Sequence, residues 1–296
     1  MALLRQSHSL PLPEFDRVSR HFARPFELGL FLGITTAALA GAPTAFGQNA
    51  VPAPVNANTT VADQLQAVPF GVGERFAYEV KFGSIHVGTG QMEVHGLDTI
   101  RGRPAWHTSF WVRGGTFFYR VDDSFESWID SISFSTLRFL RQIQEGTRER
   151  SQHFEVYPDR SAYTRPDKKA SREYRSVRQP LDEGSFLYFV RVVPLVVGET
   201  YDFNRYFMAD RNPVRLRVLR REVVKVPAGT FNAIVIQPII KTKGIFSEGG
   251  QAEVWLSDDA RRILLQVKTR LPFGSLNLYL TSYALAADQA TKAGDR

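Results

Sequence analysis

Two Glu-x-Trp triplets, Glu126-Ser127-Trp128 and Glu253-Val254-Trp255, combine a carboxylate with an indole two positions apart. On a β-strand that spacing puts both side chains on one face. Such a face can stack a sugar ring on the indole and hold its hydroxyls with the carboxylate, or it can be a structural tryptophan beside an acid that pairs across strands. Glycoside hydrolysis needs two carboxyls about 5–9 Å apart across a cleft, so Glu126 and Glu253 form a dyad only if the fold brings them together. Asp122-Asp123 and Asp258-Asp259 are weaker candidates. Adjacent strand residues face opposite ways, and turn chemistry accounts for the second pair.

Other chemistry is sparse. His86, His95, His107 and His153 follow the N-terminal segment in none of the spacings that gather zinc ligands. The absence of cysteine excludes disulfides, thiolate metal sites and cysteine nucleophiles. Gly244-Ile245-Phe246-Ser247-Glu248-Gly249 lacks the G-x-S-x-G spacing of a nucleophile elbow and reads as a hairpin loop. Gly88 and Gly90 precede no helix and so make no phosphate loop. Two glycines on one strand face leave a strip free of side chains, which suits strong curvature, a bound acyl chain or, by preference, a docked helix. No catalytic residue, metal ligand or cofactor motif is assigned.

The elements that would position these residues are strands. Phe76, Tyr78, Val80 and Phe82 alternate with Ala77, Glu79 and Lys81, the pattern of a half-buried strand. Similar windows fall near 86–96, 105–113, 117–129, 135–144, 147–157, 160–165, 170–177, 200–207, 214–226, 230–241, 251–256, 262–270 and 275–284. Turn residues separate them at hairpin spacing, which indicates antiparallel meanders and not βαβ units. Motifs also recur in order. Val72-Gly73-Glu74-Arg75-Phe76 is echoed by Val197-Gly198-Glu199-Thr200-Tyr201, and the intervals from Gly73 to Trp128 and from Gly198 to Trp255 are 55 and 57 residues. Phe117-Phe118 before Trp128 and Ile245-Phe246 before Trp255 extend the echo. The expected fold is all-β, an antiparallel, strongly curved sheet or barrel built from two related halves, about 70–178 and 195–286, with equivalent aromatics approaching across a pseudo-twofold axis.

One helix is expected at 182–193. Asp182 suits its N-cap, Phe186, Phe189, Val190 and Val193 share one face, and Pro194 ends it. It joins the halves, and its apolar face must dock on the concave side of the sheet as a plug or lid.

The ends and the charge bound the compartment. Arg17, Arg20 and Arg24 precede a 15-residue apolar run from Leu28 to Ala42 and small residues up to Gly47, which reads as a cleavable signal peptide over 1–47 with an uncleaved anchor as the alternative. Residues 48–68 read as a flexible tether, 69–286 as a single β domain and 287–296 as a disordered tail. The chain carries a formal charge of +7, and its excess of base is concentrated between Arg138 and Arg178. There Arg138, Arg141, Arg148 and Arg150 are candidate contacts for an anion, with a solvated strand face as the plainer alternative.

The strings V-G-E-R-F-A-Y-E-V-K-F-G at 72–83, V-G-T-G at 87–90, V-D-D-S-F-E-S-W-I-D at 121–130, V-P-A-G-T-F-N-A at 226–233 and W-L-S-D-D-A-R-R at 255–262 resemble the exported bacterial family DUF3108. That resemblance spans residues 70–284 and implies no activity. Ile263-Leu264-Leu265 departs from it where a proline is expected in the closing hairpin. The Trp-bearing strand followed by an acidic turn is also similar, at the level of fold, to hairpins of periplasmic lipoprotein-carrier half-barrels. The leading expectation is a periplasmic, non-catalytic protein that binds a lipid, an anionic envelope glycan or another amphiphile. A structural or protein-interaction module of the envelope with a filled core is the second, and a glycan-acting enzyme the third. Neither nucleic acid nor a membrane span after cleavage is expected.

Overall fold

The computed structural model describes residues 68–116, 119–145, 148–170, 172–241, 252–269 and 275–286. The segments expected as signal peptide and disordered tail, most of the expected tether, Phe117-Phe118 and the stretch with Ile245, Phe246 and Ser247 lie outside them. Among the described residues the chain forms β1 (Arg75–Phe82), β2 (Ile85–Ile100), β3 (Arg103–Thr116), β4 (Tyr119–Asp130), β5 (Thr136–Glu145), β6 (Arg148–Tyr157), β7 (Ala162–Thr164) and β8 (Tyr174–Arg175). The helix α1 (Glu183–Phe189) follows, then β9 (Thr200–Phe203), β10 (Val214–Val226), β11 (Gly229–Ile239), β12 (Glu253–Ser257), β13 (Leu264–Lys268) and β14 (Leu276–Ala284). These strands make one 14-stranded sheet in the order β8-β7-β6-β5-β4-β3-β2-β1-β14-β13-β12-β11-β10-β9. Every strand pair is antiparallel, and β1 joins the two meanders by pairing with β14. The sheet is curved but not closed, with β8 and β9 at its edges.

The two meanders share a backbone framework. Gly73 and Gly198 have φ of 84° and 91°, a turn conformation that costs glycine little. The Gly73 N–H donates to Val94 O and the Gly198 N–H to Val218 O, both at 2.9 Å. The bonds from Glu74 N–H to Gly71 O and from Glu199 N–H to Val196 O are both 3.1 Å. The ladder then bulges between Val94 and Gly96 in one meander and between Val218 and Arg220 in the other. It bulges again after Trp128 and after Trp255. Each such hairpin closes through a 2.8 Å bond, Asp130 N–H to Ser135 O and Ser257 N–H to Ile263 O. The residue before each acceptor, Phe134 or Arg262, has φ near 50° (52° and 48°).

The core is continuous. Phe76, Tyr78, Phe139 and Phe154 from the first meander and Leu216, Ile234, Leu256 and Leu264 from the second belong to one buried cluster that also contains Phe186, Leu187, Tyr188 and Phe189 of α1. A helix this short is unstable alone, and one apolar on all sides must be buried. It packs on β3 and β4, where a Cβ on Gly184 would sit 2.5 Å from Ser127 Oγ. The expected helical face is buried throughout, but the helix ends at Phe189 and not at Val193. The chain tightens into turns through Arg191 N–H to Tyr188 O and Val192 N–H to Phe189 O, both 3.1 Å. Three β-branched valines and Pro194 disfavour a further helical turn.

Two buried polar clusters fix α1. Asp182 caps it, accepting from the N–H groups of Gly184 (2.7 Å) and Ser185 (2.9 Å) and from the hydroxyls of Ser127 and Thr136, both 2.6 Å. Burial pushes the Asp182 carboxyl up to about 6 against the pull of those donors. Beyond the helix, Arg191 forms a bidentate pair with Glu74 at 2.6 and 2.9 Å, also donates to Arg262 O at 3.0 Å, and is fully buried beside Phe70, Phe76 and Tyr188.

Candidate functional site

Each Glu-x-Trp triplet carries the same constellation. In the first, the Trp128 indole N–H donates to Asp98 Oδ2 at 2.8 Å, and the His107 ring stacks on the indole at 4.3 Å. His107 lies between two carboxylates, with Nε2 3.2 Å from Glu126 Oε2 and Nδ1 3.5 Å from Asp98 Oδ2. In the second, the Trp255 indole N–H donates to Glu222 Oε1 at 2.6 Å. There Arg220 sits over the ring at 5.7 Å and bonds both Glu222 (2.9 Å) and Glu253 (2.8 Å). A base bridging two acids over an indole is thus present twice, supplied by β3 in one meander and β10 in the other.

Glu126 and Glu253 share no partner, and neither lines the groove described below. The hydrogen bond from His107 holds the Glu126 carboxyl below the ordinary carboxylate range, which is the wrong direction for a general acid. Trp128 belongs to a small cluster with Ile100, Ala105 and Leu137, whereas Trp255 belongs to the main core. The two indoles therefore lie in separate clusters and do not meet across an axis as the repeat suggested. Among the described residues no group of three or more His, Asp or Glu is placed to hold a metal ion.

The glycine strip holds backbone and not the helix. A Cβ on Gly88 would lie 2.2 Å from Arg113 O and 2.7 Å from Gly114 Cα, and one on Gly90 would lie 3.1 Å from Trp111 O. Gly88 faces Gly114 across the β2–β3 ladder, and a Cβ on Gly114 would meet Val87 O at 2.1 Å. The strip therefore lets β2 and β3 approach closely, while α1 docks elsewhere on the sheet. Two of the four candidate arginines are already paired. Arg138 bonds Glu155 at 2.5 Å, and Arg141 bonds Glu183 of α1 at 3.0 Å. Arg150 is exposed opposite Ile143, and Arg148 begins β6 opposite Glu145.

The site that sequence reasoning missed lies between the β7–β8 edge and the segment after β9. It is a groove of about 1360 Å³. Its wall contains Arg103, Arg175, Arg178 and Arg205 against Asp159 and Asp210. Tyr163 and Tyr174 stack on each other at 5.1 Å along the same wall. Below it the two margins of the sheet are tied together: the Leu181 N–H donates to Arg205 O at 2.5 Å, the Phe207 N–H to Leu181 O at 2.9 Å, and the Phe207 ring packs on Phe154 at 5.0 Å. Arg103 is neutralised by Asp130 (2.6 Å) and Asp159 (3.0 Å). Arg175 and Arg178 are exposed and form no ion pair among the described residues. Arg205 is 4% exposed, donates to the carbonyls of Gln179 (2.8 Å) and Phe134 (2.6 Å), and forms no ion pair among the described residues. Such a wall attracts an anion and offers rings to an apolar tail. The only trace in sequence is the basic stretch ending at Arg178; nothing there pairs it with Arg205.

No curated protein matches the chain. Among solved structures, a β-barrel-like protein of the domain of unknown function DUF1849 from Brucella abortus is 10% identical, covering 74% of this chain and 99% of its own, with a TM-score of 0.46. A hypothetical protein from Chlamydia trachomatis is 8% identical over 77% of this chain and 93% of its own, with a TM-score of 0.34. Likenesses this distant carry no inference about activity. The family model for DUF3108, described as a protein of unknown function, matches residues 77–281, taking in both meanders, α1 and the groove, and the chain therefore belongs to that family.

Proposed function

We propose that this protein is an exported, non-catalytic envelope component that binds an anionic amphiphile in the groove between β7–β8 and the segment after β9. The observation that carries the reading is the groove itself: four arginines against two aspartates, beside a stacked tyrosine pair. The concave interior is a poorer place for an acyl chain, because α1 and the aromatic core occupy it. Charge at the groove would hold the head, and Tyr163, Tyr174 and Val177 would cover part of the tail. The filled interior equally suits the second reading, a structural module of the envelope that binds another protein.

Native mass spectrometry of the protein, purified from its envelope without detergent, separates the two. The binding reading predicts a reproducible adduct that Tyr174→Ala or Arg178→Ala depletes. A clean apo mass would leave the structural module. Export through a leader ending at Gly47 predicts a mature mass beginning at Gln48, and an intact N-terminus on the purified protein would contradict it.

A further inference from the structure

We infer that Arg205 and Ser176 form an anion subsite in the groove, built for a phosphoryl group. The inference rests on the binding reading of the groove, whose ligand class it names.

Two observations point to the same place. Arg205 is buried, and Nη1 has no hydrogen-bond partner among the described residues while Nε and Nη2 are used by carbonyls. Its ring neighbour is Phe189, 4.6 Å from the guanidinium carbon, which offers a π face but no counter-charge. Arg191, the other deeply buried arginine, has its charge matched by Glu74. A buried charge is ordinarily paired, because removal from water without a partner is costly. For Arg205 burial acts alone and pulls the guanidinium down to about 9. The second observation is independent: Ser176 Oγ is buried on the same groove and also lacks a partner among the described residues. Buried polar atoms are nearly always satisfied, so a charged donor and a hydroxyl left open in one wall mark where a ligand's acceptors belong.

The chemistry selects the ligand. A guanidinium recognises oxyanions through fixed N–H directions, and the hydroxyl supplies a further donor. Arg175 and Arg178 stand at the same groove and form no ion pair among the described residues. That is more donor capacity than a carboxylate's two oxygens use, and it fits the three oxygens of a phosphoryl group. The tyrosine wall adds preference for a phosphate carried on an acyl glycerol over the free ion.

The test is isothermal titration of the full-length protein with sodium phosphate, with dihexanoyl phosphatidic acid below its micellar concentration, and with hexanoate. The expected order is phosphatidic acid tightest, phosphate weaker and hexanoate weakest. Arg205→Met should weaken both phosphoryl ligands at least tenfold, and Ser176→Ala, which removes only an unpaired oxygen, three- to tenfold. Arg138→Met, whose partner is Glu155, should leave affinity unchanged. Phosphate bound as tightly as phosphatidic acid would assign the subsite to the free ion. Wild-type affinity in Ser176→Ala overturns the subsite even if Arg205→Met fails to fold, and so does hexanoate binding as tightly as phosphatidic acid. The two levels fail separately. An envelope adduct that depends on Tyr174 but ignores Ser176 and Arg205 sinks the subsite alone, whereas the absence of any adduct or titration signal sinks the groove reading with it.

Discussion

The two meanders have the same turns, the same bulges and the same indole-to-carboxylate bonds, yet they use their matching residues differently. Glu74 is buried in a bidentate pair with Arg191, while Glu199, in the same turn of the other meander, is exposed. Gly96 follows the first bulge where Arg220 follows the second, and the base over the indole moves from β3 to β10. The framework fixes backbone geometry and leaves the side chains free to diverge. The groove lies mostly outside the framework, which gives it Arg103 and Ser133. Most of it comes from what the first meander adds, β7 and β8, and from the segment after β9.

The sharpest way to break this comparison is to treat the equivalent glutamates alike. Glu74→Gln leaves the Arg191 guanidinium buried without its counter-charge and should destabilise the protein by about 3–5 kcal/mol. Glu199→Gln should change stability by less than about 0.5 kcal/mol. Urea unfolding of both variants measures the contrast, and equal losses would mean that the two turns are used in the same way.

Asp182 gives the next largest effect, through pH. Its folded value of about 6 lies above the ordinary 3.8, so the folded state holds the proton more tightly than the unfolded chain. The stability linked to this group is fully present below pH 3.8 and is lost as pH rises through about 6, a change of roughly 3 kcal/mol. Asp182→Asn should flatten that part of the pH–stability profile. An unchanged slope between pH 4 and 7 would remove Asp182 as its source.

Glycines sharpen the comparison further. Gly88→Ala drives a methyl into the backbone of β3 and should cost about 1–3 kcal/mol by overpacking. Gly96→Ala meets nothing within 4 Å and should be neutral within about 0.5 kcal/mol. The smallest effect is expected at the indoles. Trp128→Phe and Trp255→Phe each remove one bond to a partly exposed carboxylate and should cost about 1 kcal/mol beyond lost packing. If thermal unfolding shows one loss several times the other, the two constellations are not equivalent in energy.

Much of the fold was legible because strand alternation is local. Phe76, Tyr78 and Val80 announce β1 by themselves, and the doubled Val-Gly-Glu marks two turns whose hydrogen bonds coincide. The Glu-x-Trp spacing correctly put acid and indole on one face, but the base that occupies each pair, His107 or Arg220, comes from another strand and has no signature. The helix was over-extended because its apolar spacing runs on to Val193 while the hydrogen bonds tighten into turns. Arg191 and Glu74 are 117 residues apart, and no periodicity connects them. The groove was hidden for the same reason. Its arginines come from Arg103, from the end of the first meander and from the segment after β9, and only the rolling of the sheet brings them together. Arg138 and Arg141, which looked available in a basic stretch, are held by Glu155 and Glu183.

The central claim is that a ligand enters the groove and not the rolled interior. Amide hydrogen exchange of the full-length protein, with and without dihexanoyl phosphatidic acid, tests it most directly. The account predicts slower exchange at residues 174–179 and 204–210, with α1 from Glu183 to Phe189 unchanged. Faster exchange in α1 together with slower exchange along the inner faces of β3 and β4 would mean that the helix is displaced and the ligand lies inside, and would contradict it.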